Sequence, residues 1–215
     1  MNTTPLFAST VLALLCLGAA TADPLKPVSL SPPQMTGGRP LMQVLKDRST
    51  SRSFSAEKLP PQMLSNLLWA AFGINRPESG HRTAPSAMDH QEIDIYVALA
   101  EGLYVYEAKA HVLQPVLAGD IRAMTGRQPF VADAPVNLVY VADLGRMGKA
   151  SKEEQDLYSA ADTGFISENV YLFCASEGLA TVVRGSVDRE ALAKAMRLRP
   201  DQKIILAQTV GYPKK

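Results

Sequence analysis

Apolar residues recur along this chain with two periods, and the changes of period mark its elements. Leu41, Val44 and Leu45 share one helical face and predict a short helix. Pro60-Pro61 opens a second helix, with Met63, Leu64, Leu67, Leu68, Ala71 and Phe72 on one side and Gly73 as its stop. Residues 73–85 read as a polar loop containing His81-Arg82-Thr83. Residues 92–99 alternate and are β-branched enough for a strand; residues 103–106 give a second after the Glu101-Gly102 turn, hence a hairpin. Residues 117–124 predict a short helix. Residues 136–141 are apolar except for Asn137 and predict a central strand. Residues 153–177 predict a long helix, apolar on nearly every side in its second half (Phe165, Ile166, Val170, Leu172, Phe173), a pattern of core or interface helices. Gly178 caps it. A strand at 179–183, a helix at 188–198 and a last strand at 203–210 follow. Helices and antiparallel strands mix without regular βαβ alternation, so the fold class is α+β.

The two ends change this picture only at its edges. The first 22 residues carry no charged side chain, and the apolar run 11–20 leads into Ala20-Thr21-Ala22, a small-x-small cleavage pattern. The run is shorter than the roughly 20 residues that span a bilayer. Residues 1–22 are therefore expected to be a cleavable export signal, leaving a periplasmic or secreted protein. Residues 23–40, with Pro24, Pro27, Pro32, Pro33, Gly37, Gly38 and Pro40, read as an extended arm. Residues 41–215 form the folded domain. Removal of the signal leaves Cys174 as the one cysteine, so stability is expected from a core without an internal disulfide. A net charge of +1 and 47% hydrophobic residues in a chain of 215 indicate neither nucleic acid nor an acidic surface as partner.

Candidate chemistry begins at Lys46-Asp47-Arg48-Ser49-Thr50-Ser51-Arg52-Ser53-Phe54. Arg48 and Arg52 can fork onto a phosphate while Ser49, Thr50 or Ser51 and nearby N–H groups fill its remaining acceptor sites. The same composition also suits a solvated helix end. A second stretch runs from Thr83 to Gln91. Its small residues, Pro85, Ser86 and Ala87, let backbone approach a flat ligand, and Asp89 and Gln91 supply polar groups; a simple turn entering a strand is the alternative. The third, Thr181-Val182-Val183-Arg184-Gly185, is a strand end whose N–H groups can reach a ring edge, or a plain turn with a solvent-facing arginine. His81, His90 and His111 are scattered and lack metal-ligand spacing. There is no Gly-rich phosphate loop and no Gly-x-Ser-x-Gly elbow, and Cys174 lies in a buried pattern. With no evident side-chain nucleophile, either a cofactor carries the chemistry or there is none.

Taken together, these pieces resemble the FMN-dependent nitroreductase family from about Leu41 to the C-terminus. The resemblance rests on Arg48 to Phe54, Leu67-Leu68-Trp69-Ala70-Ala71-Phe72-Gly73, Pro85-Ser86-Ala87 with Asp89 and Gln91, Asp162-x-Gly164 ahead of Asn169, Glu177-Gly178-Leu179-Ala180-Thr181, and Val210-Gly211-Tyr212-Pro213. It implies an α+β subunit with a central, mostly antiparallel sheet flanked by helices. It further implies a homodimer with FMN at two sites built from both chains, and NAD(P)H as electron donor. By position, Arg48, Ser49, Thr50 and Arg52 would contact phosphate and ribityl, and Pro85, Ser86 and Ala87 would lie near the isoalloxazine. Asp89 stands where the family usually has asparagine, Gln91 matches a common glutamine, and Val182, Arg184 and Gly185 belong to the segment approaching flavin N5. Lys214 or Lys215 would complete the phosphate site. An anion at Asp89 would lower the flavin potential unless paired, and Arg184 is a conjectured partner. The expected function is flavin-mediated hydride transfer to or from a small flat substrate, such as a nitroaromatic or quinone. The alternatives are an exported flavin-binding or partner-binding protein without NAD(P)H-driven turnover, and consumption of FMN itself with oxygen.

Overall fold

A computed structural model describes residues 24–214, and the expected signal at 1–22 and Lys215 lie outside the described residues. Seven strands form one antiparallel sheet in the order β1-β6-β5-β4-β7-β9-β8: β1 (Val28–Ser29), β4 (Ile93–Ala98), β5 (Gly102–Glu107), β6 (Val112–Ala118), β7 (Val136–Asp143), β8 (Ala180–Arg184) and β9 (Gln202–Gly211). β7 lies between β4 and β9 and is buried over its whole length, as its apolar run requires.

Alternation along the strands divides the core into two layers. Ile93, Ile95 and Val97 of β4 and Leu138 and Tyr140 of β7 pack with Leu67, Leu68 and Phe72 of α2 (Pro61–Phe72) and with Ile166 and Val170 of α4 (Lys152–Glu177). Tyr96 and Ala98, with Val139 and Val141, face the other way against Leu192 and Met196 of α5 (Arg189–Met196). Truncating a fully buried leucine such as Leu67 is expected to cost about 2–5 kcal/mol.

The helices begin and end where local chemistry directs. Pro61 opens α2, where a missing N–H costs nothing, and Gly73 N–H closes it on the Trp69 carbonyl at 2.8 Å. A capping box starts α4: Glu154 N–H donates to Ser151 Oγ, and Ser151 N–H to Glu154 Oε2. Gly178, left-handed at φ 70°, ends it.

Two expectations are corrected. Residues 117–124 are not a helix: Leu117 belongs to β6, and only the single turn Arg122–Thr125 is helical. β6 is held by β5 along its length but by β1 only at Val112 and Leu113, so Pro115 is accommodated without a second ladder. Residues 73–85 are not a plain loop but hold a bulged two-stranded ribbon, β2 (Ile74–Arg76) with β3 (His81–Arg82). In α4, Ile166, Val170 and Cys174 form an inner stripe, while Leu157 and Phe165 are 63% and 49% exposed on this single chain. Other short elements were not foreseen, two of them near the expected site or the arm. These are α3 (Phe130–Asp133) and β1, which ties the arm to β6; α1 (Leu41–Asp47) forms as expected.

Candidate cofactor site

The basic stretch is anchored by its one apolar residue. Phe54 is buried against Phe130, Ala134, Ala180 and Val182, with its ring 5.3 Å from that of Phe130. Backbone bonds fix the rest: Ser51 N–H donates to the Thr181 carbonyl (3.0 Å), Ser55 N–H to Tyr212 (2.9 Å), and Lys214 N–H to Ser53 (3.3 Å). Lys214 is thereby brought beside the stretch. Ser49, Thr50 and Arg52 remain exposed and Arg48 half-buried. Among the described residues neither Arg48 nor Arg52 enters an ion pair. Tyr171 of α4 organises this face. Its ring lies under Arg48 (5.5 Å from Cζ to centroid), and its hydroxyl is 3.1 Å from Thr50 Oγ1 while accepting the Val183 N–H at 3.0 Å. Sequence reasoning missed Tyr171; an aromatic with a polar end, four residues after Ser167 on a half-exposed helix, was its only signal.

The second stretch sits on the opposite flank of the same helix. Ala87 N–H donates to Asp162 Oδ2 at 2.9 Å. Asp162 and Tyr171 are nine positions apart, which at 100° per residue places them roughly 180° apart around α4. Met88, Asp89 and Gln91 all have positive φ (50°, 57° and 47°), an uncommon run for side-chain-bearing residues. The β2–β3 ribbon holds it. Asp89 Oδ2 is 3.3 Å from His81 Nε2, Asp89 Oδ1 accepts from Gln91 Nε2 (2.9 Å), and Gln91 Oε1 accepts from Arg82 Nε (2.6 Å). Arg82 stacks on Phe72 at 4.4 Å, and burial lowers its pKa. A cavity of about 210 Å³ opens here, lined by Pro85, Ser86, Asp89 and Gln91 together with Arg76, His81 and Arg82. His81 and Arg82 were read only as loop residues.

The third stretch divides. Gly185 is exposed, and a Cβ there would meet only Leu206 Cδ2 at 3.8 Å, whereas the Val182 side chain is buried with Phe54. Arg184 is neither solvent-facing nor the partner of Asp89. It is 4% exposed, donates to the Thr125 carbonyl (2.6 Å) and to Asn137 Oδ1 (3.1 Å), and burial pulls its pKa down to about 10. Gly126 makes room for it, since a Cβ there would stand 1.8 Å from Arg184 Nη1. Cys174 is fully buried and its thiol pKa is driven well up by burial, which makes it a poor nucleophile.

A larger apolar cavity of about 510 Å³ lies elsewhere, between the arm, the start of α2 and the β4–β5 turn, and none of the expected site residues lines it. The cations on its rim are paired, Lys58 with Glu101 and Arg122 with Asp120, so it offers no free positive charge to a phosphate. Among the described residues no group of His, Cys, Asp or Glu could hold a metal ion, and no helix is long and apolar enough to cross a membrane.

An antiparallel sheet covered on one face by a long helix, with a cationic face and a small-residue loop on that helix's two flanks, defines an α+β protein. Comparison with known proteins gives the family. The nitroreductase family model matches residues 45–212. A nitroreductase-family protein of Methanocaldococcus jannaschii is 28% identical over 169 residues, covering 74% of this chain and 85% of that one. A crystal structure of a protein assigned as a nitroreductase from Ralstonia eutropha superimposes with a TM-score of 0.86 at 45% identity, over 91% of this chain and 93% of that chain. The NADPH:FMN oxidoreductase of Vibrio harveyi shares the fold, with a TM-score of 0.61 at 17% identity, over 81% of this chain and 69% of that chain. The chain belongs to the nitroreductase family and is an oxidoreductase by that membership.

Proposed function

We propose that the protein is an FMN-dependent oxidoreductase acting as a homodimer, with each FMN held between the cationic flank of α4 in one subunit and the small-residue loop of the other. The observation that carries this reading is the placement of the two half-sites on opposite sides of one helix. A single chain cannot easily close both around one ligand, whereas a two-fold axis along the outward face of α4 would bring each half to its complement. That outward face carries exposed apolar side chains, Leu157 and Phe165, and Leu41, Met42 and Leu45 of α1 are exposed as well. Patches of this kind mark interaction surfaces.

The residues fit the cofactor. Among the described residues Arg48 and Arg52 have no acid partner, and Ser49 and Thr50 lie beside them in the chain, so a phosphate would complete the group. Lys214 is close enough through Ser53 to join it. Pro85, Ser86 and Ala87 present little bulk to a flat ring, and Asp89 and Gln91 are already oriented by His81 and Arg82. When bound, FMN supplies hydride transfer at N5; the chain holds the phosphate, flanks the ring and leaves Gly185 open beside it. Nitroaromatic or quinone-like molecules are the proposed acceptors and NAD(P)H the proposed donor. Should residues 1–22 direct export, a donor other than free NAD(P)H is proposed in its place.

The test is direct. Purified wild type should bind FMN at near-stoichiometric occupancy. Arg48→Ala with Arg52→Ala should lose it while circular dichroism and dimer mass are kept, and full retention by that variant would remove the phosphate assignment.

A further inference from the structure

Beneath the 86–91 loop lies a carboxyl that the proposed flavin chemistry does not use. Glu92 is completely buried, between the loop and β4. Its Oε2 accepts from Ser86 Oγ at 3.3 Å, and its Oε1 has no partner among the described residues. Asp162 of α4, 1% exposed, is a like charge acting on it, and it takes the Ala87 N–H of the same loop. Neither carboxyl enters an ion pair among the described residues. His90 also acts on Glu92, and among the described residues its own Nε2 is buried without a partner.

Two buried carboxylates without a cation are unfavourable, and a group in that position ordinarily takes up a proton. Burial, and then the charge of Asp162, raises the pKa of Glu92. Ser86 links this acid to the loop, because its Oγ accepts the Gln91 N–H at 2.8 Å and donates to Glu92. The chain Gln91–Ser86–Glu92 thus runs from the left-handed run Met88, Asp89 and Gln91 down to the floor of the sheet.

We propose that Glu92 is a positioning residue that works as the neutral acid: it and Asp162 carry at most one negative charge between them, and together they clamp the 86–91 loop to α4 and β4. Ionisation of Glu92 would set a second buried negative charge beside Asp162, and their repulsion would push apart β4 and α4, between which the Ala87 N–H to Asp162 bond holds the loop, and so release it. Order in the loop should therefore fall as pH rises. The catalytic meaning of the clamp rests on the flavin reading above, since that reading puts the ring at this loop; the clamp itself does not.

The experiment uses wild-type protein without added flavin. Carbon-13 labelling of the glutamates, with Glu92 assigned by its absence in Glu92→Gln, gives the titration directly. The Glu92 carboxyl should remain protonated well above the ordinary glutamate range. Hydrogen exchange at the Gln91 amide should show protection that declines with pH in wild type. Glu92→Gln should keep that protection and lose its pH dependence, while Glu92→Ala should lower it about tenfold or more at neutral pH. A Glu92 signal titrating as an ordinary carboxylate would overturn the proposal even if Glu92→Ala fails to fold. So would Glu92→Gln losing protection as badly as the alanine variant. Separate FMN titration of the same proteins keeps the two readings apart, because absent FMN binding with the expected carboxyl titration would sink only the flavin assignment.

Discussion

The two flanks of α4 solve opposite problems. On the Tyr171 side the cations stand open: among the described residues Arg48 and Arg52 have no acid partner, and Arg52 is exposed on a stretch held by buried Phe54 and by backbone bonds to Thr181 and Tyr212. On the Asp162 side the polar groups already satisfy one another, with both Asp89 oxygens taken by His81 and Gln91, and Gln91 held by Arg82. The first is charge awaiting a counter-ion; the second is a preformed wall. A ligand should therefore draw its affinity from the first flank and its shape and potential from the second.

Loss of the open flank should cost most. Removing both guanidiniums deletes at least two charge-assisted bonds, each worth about 1.5–3 kcal/mol, so FMN affinity should fall by roughly 100-fold or more, measured by fluorescence titration. A smaller loss of affinity would mean that Lys214 or backbone N–H groups dominate. Next is Tyr171→Phe, which leaves the Val183 N–H without its acceptor and frees Thr50; a destabilisation of about 1–3 kcal/mol is expected by urea unfolding, with FMN affinity reduced as well. Unchanged stability would separate Tyr171 from the cationic flank.

A smaller effect concerns the arm, which both flanks leave aside. His111 Nδ1 meets the Tyr106 hydroxyl at 2.9 Å, and its Nε2 lies 2.7 Å from Ser65 Oγ and 3.0 Å from the Ser31 carbonyl. Burial lowers its pKa, so the folded state favours the neutral ring. The stabilisation is then full above the ordinary histidine range and is lost as pH falls through the folded value. Proteolysis or hydrogen exchange at 24–40 should accordingly increase on acidification, and His111→Gln should flatten that response. The smallest expected effect is on the closed flank. Asp89 is half-exposed and already engaged, so Asp89→Asn should raise the flavin midpoint potential by only on the order of 20 mV. A lower potential would contradict the electrostatic reading of that position.

Elements with a strong period were readable in the chain: α2, the β4–β5 hairpin, β7, α4 and β9 all fall within a few residues of their apolar patterns. What escaped had no local signal. β6 is interrupted by Pro115, and its strand character comes from pairing with β5. β3 is the dipeptide His81-Arg82, whose strand geometry is imposed by β2 and by Gln91. Arg184 looked solvent-facing because its partners, Thr125 and Asn137, lie 59 and 47 residues away. The motif stretches themselves were legible. Their distribution around α4 was not, since it depends on which side of a helix each distant loop happens to pack.

That distribution is tested by mixing subunits. One chain would carry Arg48→Ala with Arg52→Ala, the other Ala87→Phe to fill the ring side, and each homodimer should retain little FMN. In a tagged, purified heterodimer, a site shared between subunits pairs one intact cationic flank with one intact loop. About one flavin per heterodimer is then expected. If each site were built within a single chain, both would remain broken and the heterodimer would bind none, which would contradict the shared site outright.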